Sequence, residues 1–453
     1  IRDRFIIMNI LDKTYYYFIG AGGIGMSALE RFFKSIGKEV AGYDKTQTEL
    51  TTELIAEGID IHFEDNIELI PGGINAENTL VIYTPAIPKD HSELNYFLVN
   101  DFKVMKRSEV LGEITKHTYN IGVAGTHGKT TTSSILGHIL KVANVECTAF
   151  LGGIAENYDS NIILNGSKYT VAEADEFDRS FLRLSPKLAI ITSDDADHLD
   201  IYGERDEVKK SFQEFAAIVE EKLFVHKGLP FEGAFTYGVD LDADYDAHNV
   251  RIIDGHYVFD VKTPNGSLTD IGILLPGHHN MENAVAALAV ADYMGVPHDK
   301  IKEALSTFVG VKRRFNRFEA NGKIYIDDYA HHPTELNAAI RSVRELYPGK
   351  KVLGVFQPHL FTRTRDFAEE FGESLSQLDS LILLDIYPAR ELPIEGITSN
   401  WLLEKVNLNE KIVSSLEDSL ANIKKQDFDV LLTVGAGNID TIVKPIKEWL
   451  SEA

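Results

Sequence analysis

The central part of the chain is organised around the stretch Tyr119-Asn-Ile-Gly-Val-Ala-Gly-Thr-His-Gly-Lys-Thr-Thr-Thr132. A β-prone apolar run from Ile121 to Ala124 enters it, and apolar residues at helical spacing follow it. We therefore predict a strand, a glycine-rich turn and a helix, in that order. Backbone N–H groups at the start of such a helix can face an anion, so the turn is typical of a phosphate-binding loop.

This turn is a variant of the standard phosphate-loop pattern G-x-x-x-x-G-K-[ST]. Val123 stands where the pattern has its first glycine, and Gly125 comes two positions late. Lys129 nevertheless supplies a full positive charge, and the hydroxyl of Thr130 can bind a Mg²⁺ ion that bridges phosphates. The order of strand, turn and helix favours a phosphate site over a chance Gly-Lys-Thr.

Length and composition indicate a globular protein of about two to four domains. The chain has 453 residues, of which 44% are hydrophobic and 25% charged. Its formal net charge of -24 disfavours non-specific binding to nucleic acid or to an anionic membrane. The single cysteine, Cys147, excludes an intrachain disulfide and indicates a reducing compartment, the cytoplasm. No apolar run approaches the ~18 residues that span a bilayer, so we expect no membrane insertion.

A second glycine-rich turn follows the predicted strand Tyr15–Ile19. It reads Gly20-Ala-Gly-Gly-Ile-Gly25, and the next predicted strand, Glu39–Tyr43, leads into Asp44. This is the fingerprint G-x-G-x-x-G with an acidic residue roughly 20 residues further on, the spacing of a ribose contact. A nicotinamide dinucleotide fits this pattern, and the diphosphate of a UDP-sugar fits it equally.

Acidic residues follow two further predicted strands. The segment Tyr169-Thr-Val-Ala-Glu-Ala-Asp-Glu176 ends in three acids, and the segment after Leu188–Thr192 reads Ser193-Asp-Asp-Ala-Asp-His-Leu-Asp200. Carboxylates at the carboxyl ends of strands, beside a phosphate loop, suit Mg²⁺, although they can also form a solvated acidic turn. His198 is equally compatible with a metal ligand, a γ-phosphate contact or a residue at a helix start.

The remaining pattern predicts an α/β protein of three domains. Short strands from Ala234 to Leu275 indicate a small antiparallel piece. Strands alternate with helices from about Asn316 onward, and the predicted strands there include Val352–Phe356 and Val430–Val434. We predict a Rossmann-like domain over residues 1–117, a central domain with a mostly parallel sheet over 118–314, and a Rossmann-like domain over 315–453. Gly277-His-His-Asn-Met-Glu-Asn283 opens a helix, and its side chains can contact a nucleobase or cap the helix.

Together these motifs resemble the Mur ligases of peptidoglycan synthesis, over nearly the whole chain. The resemblance is carried by Gly20-Ala-Gly-Gly-Ile-Gly-Met-Ser27, Gly125-Thr-His-Gly-Lys-Thr-Thr131, Glu173-Ala-Asp-Glu176, Ala196-Asp-His198, Gly277-His-His-Asn-Met-Glu-Asn283, Asp327-Asp-Tyr-Ala-His-His-Pro-Thr-Glu335 and Gln357-Pro-His-Leu-Phe-Thr-Arg-Thr-Arg-Asp366. It implies domains for UDP, for ATP and for the amino acid. It also implies ATP-dependent amide formation between the lactyl carboxylate of UDP-N-acetylmuramate and L-alanine, with Mg²⁺, by a monomer or a homodimer.

The same resemblance implies roles for individual residues. The catalytic residues would be Lys129, Glu173 and His198, with Thr130, Glu173 and His198 as metal ligands. ATP would be bound by Gly125, Thr126, His127, Gly128, Lys129, Thr130, Thr131, His279, Asn280, Asn283, Asp328 and His331. The UDP-sugar would be bound by Gly20, Gly22, Gly23, Gly25, Met26, Ser27 and Asp44. L-alanine would be bound by His359, Arg363 and Arg365.

Some positions depart from the family pattern. Leu360 stands where the family commonly has arginine, so Arg363 or Arg365 must carry more of the carboxylate binding. Ser193 replaces a usual asparagine, Phe177 a usual serine and Asn438 a usual aspartate.

Three other interpretations remain: a muropeptide recycling ligase that joins a tripeptide to the same sugar nucleotide, an NAD-dependent oxidoreductase, and a non-catalytic UDP-sugar sensor. The oxidoreductase leaves the phosphate loop unexplained, and an intact Lys129, Glu173 and His198 argue against the sensor.

Overall fold

The computed structural model describes residues 10–195, 205–253, 256–389 and 391–452. The chain forms two compact units, the first made of Ile1–Tyr245 with Ala286–Ala304 and the second of Asp246–Val285 with Leu305–Ala453. Three mostly parallel sheets with flanking helices confirm the predicted α/β class. The predicted boundaries after residues 117 and 314 stay predictions.

The first sheet, in unit one, is parallel with strand order β3-β2-β1-β4-β5. Helices follow its strands, as expected for a doubly wound arrangement. The strands are β1 Tyr15–Ile19, β2 Glu39–Tyr43, β3 Asp60–His62, β4 Thr79–Tyr83 and β5 Lys103–Lys106, and the helices are α1 Ile24–Ser35, α2 Glu49–Ala56, α3 Ser92–Val99 and α4 Arg107–Lys116, with 3₁₀ turns at Ile10–Asp12 and Ile67–Leu69.

The second sheet of unit one has the order β12-β11-β10-β6-β9-β7-β8, and only the β7–β8 pair among these strands is antiparallel. Its strands are β6 Tyr119–Ala124, β7 Cys147–Ala155, β8 Ser160–Leu164, β9 Tyr169–Glu173, β10 Pro186–Ile191, β11 Lys222–His226 and β12 Phe235–Val239. The helical segments of this region are α5 Lys129–Val142, a 3₁₀ segment Phe177–Arg183 and α6 Arg205–Ala217. The helices α7 His278–Tyr293 and α8 His298–Thr307 each contain residues of both units.

Unit two contains an antiparallel set and a mostly parallel sheet. The antiparallel strands are β13 Tyr245–Ile253, β14 His256–Thr263 and β15 Gly266–Ile273, where the sequence predicts them. The sheet has the order β16-β17-β21-β18-β19-β20, with strands β16 Asn316–Ala320, β17 Lys323–Asp328, β18 Val352–Phe356, β19 Ser380–Leu384, β20 Glu410–Ser414 and β21 Val430–Val434. Its helices are α9 Pro333–Leu346, α10 Phe361–Asp366, α11 Ala368–Leu375, α12 Ser399–Leu403, α13 Leu416–Ile423 and α14 Val443–Glu452, with a 3₁₀ turn at Asn438–Ile442.

The central strands are apolar because both faces of each sheet are covered. Every residue of β18, β19 and β21 is buried, as in parallel sheets packed between helices. Cys147, at the start of β7, is also buried, and burial raises the pKa of its thiol to about 12. Among the described residues, no helix is long and apolar enough to cross a membrane.

Glu30 of α1 is a charged residue within an apolar core. Its side chain is fully buried, and within the described parts of the chain neither carboxylate oxygen has a hydrogen-bond partner. Burial raises the pKa of Glu30 well above its ordinary value of 4.5, and the nearby Asp44 raises the pKa further. The folded protein therefore favours the protonated form. The stability that the protonated side chain of Glu30 contributes to the fold is complete below pH 4.5, and it is lost as the pH rises through the raised pKa.

Replacing Glu30 with glutamine is expected to raise the melting temperature by about 2–4 °C at pH 8 and to change it little at pH 5. The amide keeps the shape of the protonated acid and removes the cost of an unpaired buried charge. Thermal melts of both proteins across this pH range measure the effect, and Glu39→Gln at an exposed position of β2 is the control. A difference in melting temperature between wild type and Glu30→Gln that stays the same at every pH would contradict the raised pKa of Glu30.

Candidate active site

The predicted phosphate loop connects β6 to α5, and glycine is required at both of its turns. Gly128 precedes α5 with a φ of 80°, in the left-handed region. Gly125 has a φ of 132°, and a Cβ there would lie 2.0 Å from the hydroxyl oxygen of Thr192. The late position of this glycine, which breaks the standard pattern, therefore has a structural reason: the loop passes directly over the end of β10.

Residues after β10 hold the loop in place. The hydroxyl of Ser193 accepts a hydrogen bond from the backbone N–H of His127 at 2.9 Å and contacts the hydroxyl of Thr126 at 2.8 Å. The hydroxyl of Thr192 donates to the carbonyl oxygen of His127. Asp195 Oδ2 lies 3.4 Å from His127 Nε2. Ser193, one of the departures from the family pattern, thus orders the phosphate loop.

Lys129 is the first residue of α5 and is surrounded by acidic groups. Its ammonium donates to the carbonyl oxygen of Gly125 at 2.6 Å and to Glu176 Oε1 at 2.9 Å. Burial lowers the pKa of Lys129, but the carboxylates of Glu176, Asp175 and Glu173 outweigh burial and raise the pKa above its ordinary value. Lys129 is therefore a fixed positive charge at the helix start, where an anion is favoured.

Thr130 and Glu173 form a pair of oxygen donors beside Lys129. The Thr130 hydroxyl donates to both Glu173 oxygens, at 3.0 and 2.9 Å. The backbone N–H of Gly152 donates to Glu173 Oε2 at 2.8 Å, and a Cβ on Gly152 would lie 2.2 Å from that oxygen. One hydroxyl and one carboxylate suit Mg²⁺, which prefers oxygen and is commonly completed by phosphates and water. Over the described residues, no group of three or more acidic, histidine or cysteine side chains could hold a metal alone.

His198, the predicted second metal ligand, lies outside the described residues. The remaining predicted residues of the loop are Thr126, His127 and Thr131, and they lie with Lys129 and Thr130 at the start of α5. The sequence groups Glu176 with Glu173 and Asp175 as carboxylates that suit Mg²⁺ or form a solvated acidic turn, whereas the structure pairs Glu176 with Lys129.

The fingerprint loop lies between β1 and α1, at the carboxyl edge of the first sheet. The backbone N–H of Gly22 donates to Asp44 Oδ2 at 2.7 Å, so that Asp44 fastens the loop to the end of β2. Gly20 has a φ of 92°, and a Cβ on Gly25 would lie 2.7 Å from Nη1 of Arg107. Gly23 precedes α1 and accepts backbone hydrogen bonds from the first turn.

Met26 and Ser27 are also predicted to bind the UDP-sugar, but their side chains are turned inward. Met26 is 2% exposed and Ser27 is 0% exposed. Their backbone N–H groups donate to the carbonyl oxygen of Gly23, both at 2.9 Å. The placement of these two residues favours shaping the loop over touching a ligand directly.

Arg107 is a residue that sequence reasoning did not single out. Its guanidinium lies against Gly25 at the start of α1, and its Nη2 lies 3.7 Å from Asp175 Oδ2 after β9. Within unit one, this arginine therefore lies between the fingerprint loop and the acids beside Lys129. Arg107 lies at the start of α4, far in sequence from both loops, so no local sequence pattern predicts its place beside them.

In unit two, the predicted adenine contacts lie at the start of α7. Asn280 Nδ2 donates to the carbonyl oxygen of Pro276 at 2.7 Å, and Asn283 Nδ2 donates to Asn280 Oδ1 at 3.3 Å. Burial lowers the pKa of His279 to about 4, so its imidazole is neutral at pH 7. Gly277 has a φ of 97°, and a Cβ there would lie 2.3 Å from Ser342 Oγ on α9.

Asp328 ends β17 and holds the segment before the sheet. Its carboxylate accepts hydrogen bonds from the backbone N–H of Phe315 and of Ala330, both at 2.7 Å. Burial raises the pKa of Asp328 to about 6, although the nearby Arg314 lowers it. The predicted nucleotide contact is therefore also a structural residue. His331 follows, and its backbone N–H donates to Glu335 Oε2 at 3.0 Å.

The predicted L-alanine residues follow β18, at the same sheet edge. The ring of His359 lies 5.9 Å from the ring of His331 and is stacked on Tyr387 at 5.7 Å. Arg363 is buried, with Nη1 at 3.3 Å from His359 Nδ1. Arg365 is exposed instead and donates to Asp366 Oδ1 at 2.7 Å. The structure thus brings His359 and Arg363 together and places Arg365 apart from them.

Leu360 has an unusual backbone conformation. Its φ of 71° lies in the left-handed region, which is costly for a residue with a branched side chain. Its backbone N–H donates to the carbonyl oxygen of Tyr387 at 2.9 Å, and its own carbonyl oxygen accepts from the Thr364 hydroxyl at 2.7 Å. These bonds on both sides of Leu360 hold the turn that presents Arg363.

Comparison with known families accounts for almost the whole chain. The sequence models of the Mur ligase family catalytic domain, the Mur ligase middle domain and the Mur ligase glutamate ligase domain match residues 15–119, 123–291 and 313–437.

The chain belongs to the Mur ligase family.

Individual Mur ligases are similar over their full length. The UDP-N-acetylmuramate–L-alanine ligase of Flavobacterium johnsoniae is 59% identical over 98% of this chain and 100% of its own length. The crystal structure of a UDP-N-acetylmuramate–alanine ligase from Thermotoga maritima matches with a TM-score of 0.82 and 26% identity, over 97% of this chain and 100% of that one. A murein peptide ligase from Psychrobacter arcticus has a TM-score of 0.71 over 97% of this chain and 99% of that one. At 21% identity, this last likeness concerns the fold alone.

Family membership confirms the prediction of a ligase. The site residues of this Mur ligase remain predictions, and their geometry is compatible with phosphate binding at Lys129 and with carboxylate binding at Arg363.

Proposed function

We propose that this Mur ligase joins L-alanine to the lactyl carboxylate of UDP-N-acetylmuramate in the cytoplasm, using ATP and Mg²⁺, as a step of peptidoglycan synthesis. The observation that carries the proposal is the 59% identity to the Flavobacterium johnsoniae ligase of that name, over the full length of both chains. The arrangement of Lys129, Thr130 and Glu173 supports it independently, because a lysine at a helix start beside a hydroxyl and a carboxylate is one of the arrangements that bind ATP with Mg²⁺.

The proposed reaction begins with activation of a carboxylate. A carboxylate does not condense with an amine at neutral pH, because its carbonyl is a poor electrophile and oxide is a poor leaving group. Transfer of the γ-phosphoryl group of ATP gives an acyl phosphate, from which phosphate can leave. The amine of L-alanine then attacks the acyl carbon and a tetrahedral oxyanion forms. Collapse of this intermediate releases phosphate, and loss of one proton from the nitrogen to solvent leaves the amide.

The chain's own residues would reduce charge repulsion in this reaction. The Lys129 ammonium, held at the start of α5, would neutralise the transferring phosphoryl group. Thr130 and Glu173 would hold Mg²⁺, which supplies charge neutralisation for the phosphates when bound. In unit two, His279, Asn280 and Asn283 would contact adenine, Asp328 and His331 the nucleotide, and His359 with Arg363 the L-alanine carboxylate.

The decisive experiment measures phosphate release from ATP with UDP-N-acetylmuramate and Mg²⁺. One reaction receives L-alanine, and the other receives the tripeptide L-Ala-D-Glu-diamino acid. We expect release with L-alanine and formation of UDP-N-acetylmuramoyl-L-alanine by mass spectrometry. Release with the tripeptide alone would establish the recycling ligase instead. Release with neither acceptor would contradict both ligase activities and favour the UDP-sugar sensor.

A further inference from the structure

Asn161 of β8 makes hydrogen bonds to α1 with every polar group of its side chain. It is fully buried. Its amide nitrogen donates to the carbonyl oxygen of Ile24 and, at 2.7 Å, to the hydroxyl of Ser27. Its amide oxygen accepts from Nη1 of Arg31, also at 2.7 Å. A buried amide with all three of these bonds to one helix fixes the position of that helix relative to β8.

Arg31 is itself held in place by Glu53 of α2 and by Glu57, which directly follows that helix. Its Nη2 donates to Glu57 Oε1 at 2.6 Å and to Glu53 Oε2 at 3.3 Å, and its Nε donates to Glu57 at 3.0 Å. Arg31 is 7% exposed, whereas the side chains of Glu53 and Glu57 are 32% and 42% exposed, so the guanidinium is buried beneath carboxylates that reach water. The contact from Arg31 to Asn161 is therefore made by a side chain with little freedom to move.

The helix turn that Asn161 holds is the one expected to bind the sugar nucleotide. Ile24 is the first residue of α1, directly after Gly20–Gly23. From β8, a ladder of paired strands leads to the phosphate loop: β8 pairs with β7, β7 with β9, and β9 with β6. Strand β9 ends at Glu173, and β6 leads into Gly125. Asn161 thus joins α1, which follows the fingerprint loop, to the sheet whose strands lead to the phosphate loop.

We propose that Asn161 is a positioning residue of the ligase reaction: it sets the distance between the fingerprint loop and the phosphate loop. The inference rests on the proposed function, because that reaction requires the lactyl carboxylate of the bound sugar nucleotide to meet the γ-phosphate of ATP. Reacting atoms must approach within about 3–3.5 Å, and a displacement of about 1 Å can cost 10²-fold in rate. Loosening α1 should therefore affect the chemical step more than substrate binding.

The test compares Asn161→Ala with wild type in the phosphate-release assay. We expect kcat to fall by about 10- to 100-fold while KM for UDP-N-acetylmuramate changes by less than about threefold. Asn165→Ala is the matched control. Asn165 lies just after β8, and its side chain donates one hydrogen bond, to the carbonyl oxygen of Val145 at 2.8 Å. Val145 lies between α5 and β7 and does not belong to α1. Its kcat should stay within about twofold of wild type.

A second variant, Asn161→Asp, separates positioning from folding. Its carboxylate keeps the size of the amide and still accepts from Arg31, but in the ionised form it cannot donate to Ile24 and repels that carbonyl oxygen. We therefore expect a melting temperature below that of wild type, a protein that is still folded at the assay temperature, and the kcat loss of the alanine variant. This variant decides the question if Asn161→Ala does not fold.

Three results would overturn the inference while the proposed function stands. They are wild-type kcat in Asn161→Asp, an equal loss of kcat in Asn165→Ala, and a rise of KM with kcat unchanged. Wild-type protein without L-alanine-dependent turnover would overturn the proposed function, and the positioning role with it.

Discussion

Replacing Lys129 with methionine is expected to lower kcat by about 10²–10³-fold, which corresponds to about 3–4 kcal/mol of transition-state stabilisation. Methionine keeps much of the length and apolar volume of the lysine and removes the charge. The charge is needed where negative charge accumulates, and the carboxylates of Glu176, Asp175 and Glu173 keep it on the lysine by raising its pKa. Steady-state phosphate release with UDP-N-acetylmuramate and L-alanine measures the effect, and UDP-N-acetylmuramate binding by calorimetry should be unchanged.

The control for this substitution lies on the same helix. Lys141, in the last turn of α5, has its ammonium 4.3 Å from the centre of the Tyr158 ring and no predicted part in catalysis. Lys141→Met makes the same chemical change and should leave kcat within about twofold of wild type. Full ATP-dependent turnover in Lys129→Met would remove Lys129 from the mechanism. An equal loss in both variants would attribute the effect to the helix rather than to the phosphate loop.

Replacing Arg363 with alanine is expected to raise KM for L-alanine by about 10- to 100-fold, with a smaller change in KM for ATP. A hydrogen bond to a charged group contributes about 1.5–3 kcal/mol, and the loss of a guanidinium that binds a carboxylate falls in this range. Arg363 is the buried arginine beside His359, and Leu360 supplies no second cation in this turn. Initial rates over a range of L-alanine concentrations give the two constants.

The chain contains a matched control for Arg363 two residues further along. Arg365 is also on α10, but it is exposed and paired with Asp366. Arg365→Ala should therefore change KM for L-alanine by less than about threefold. The reverse pattern, a large effect at Arg365 and a small one at Arg363, would show that the carboxylate is bound on the other side of α10.

Much of this fold could be predicted from local patterns because its parallel strands are short, continuous apolar runs. The predicted strands Tyr15–Ile19, Glu39–Tyr43, Val352–Phe356 and Val430–Val434 coincide with β1, β2, β18 and β21. The hairpin of β7 and β8 was not predicted. Strand β7 contains Gly152 and Gly153, and its pairing with β8 shifts register, so that it lacks a clear alternation.

The candidate site could be predicted only where the signal was contiguous in sequence. Lys129 and Thr130 belong to one loop, and Asp328 and His359 follow strands whose carboxyl ends meet at one sheet edge. The supports of these residues come from distant segments. Ser193 beneath the phosphate loop, Arg107 beside Gly25 and Asn161 beneath α1 each act through contacts that pair residues 65 or more positions apart. No spacing within one segment of sequence indicates such partners.

The single buried thiol makes the wild-type chain suitable for site-specific labelling. Cys147 is 2% exposed, and a pKa near 12 keeps it in the unreactive thiol form at neutral pH. A maleimide dye should thus modify only a cysteine introduced at the surface, and no background substitution is needed. The rate at which Cys147 itself is modified should report how often the second sheet of unit one opens, because the buried thiol reacts only when β7 separates from its neighbours.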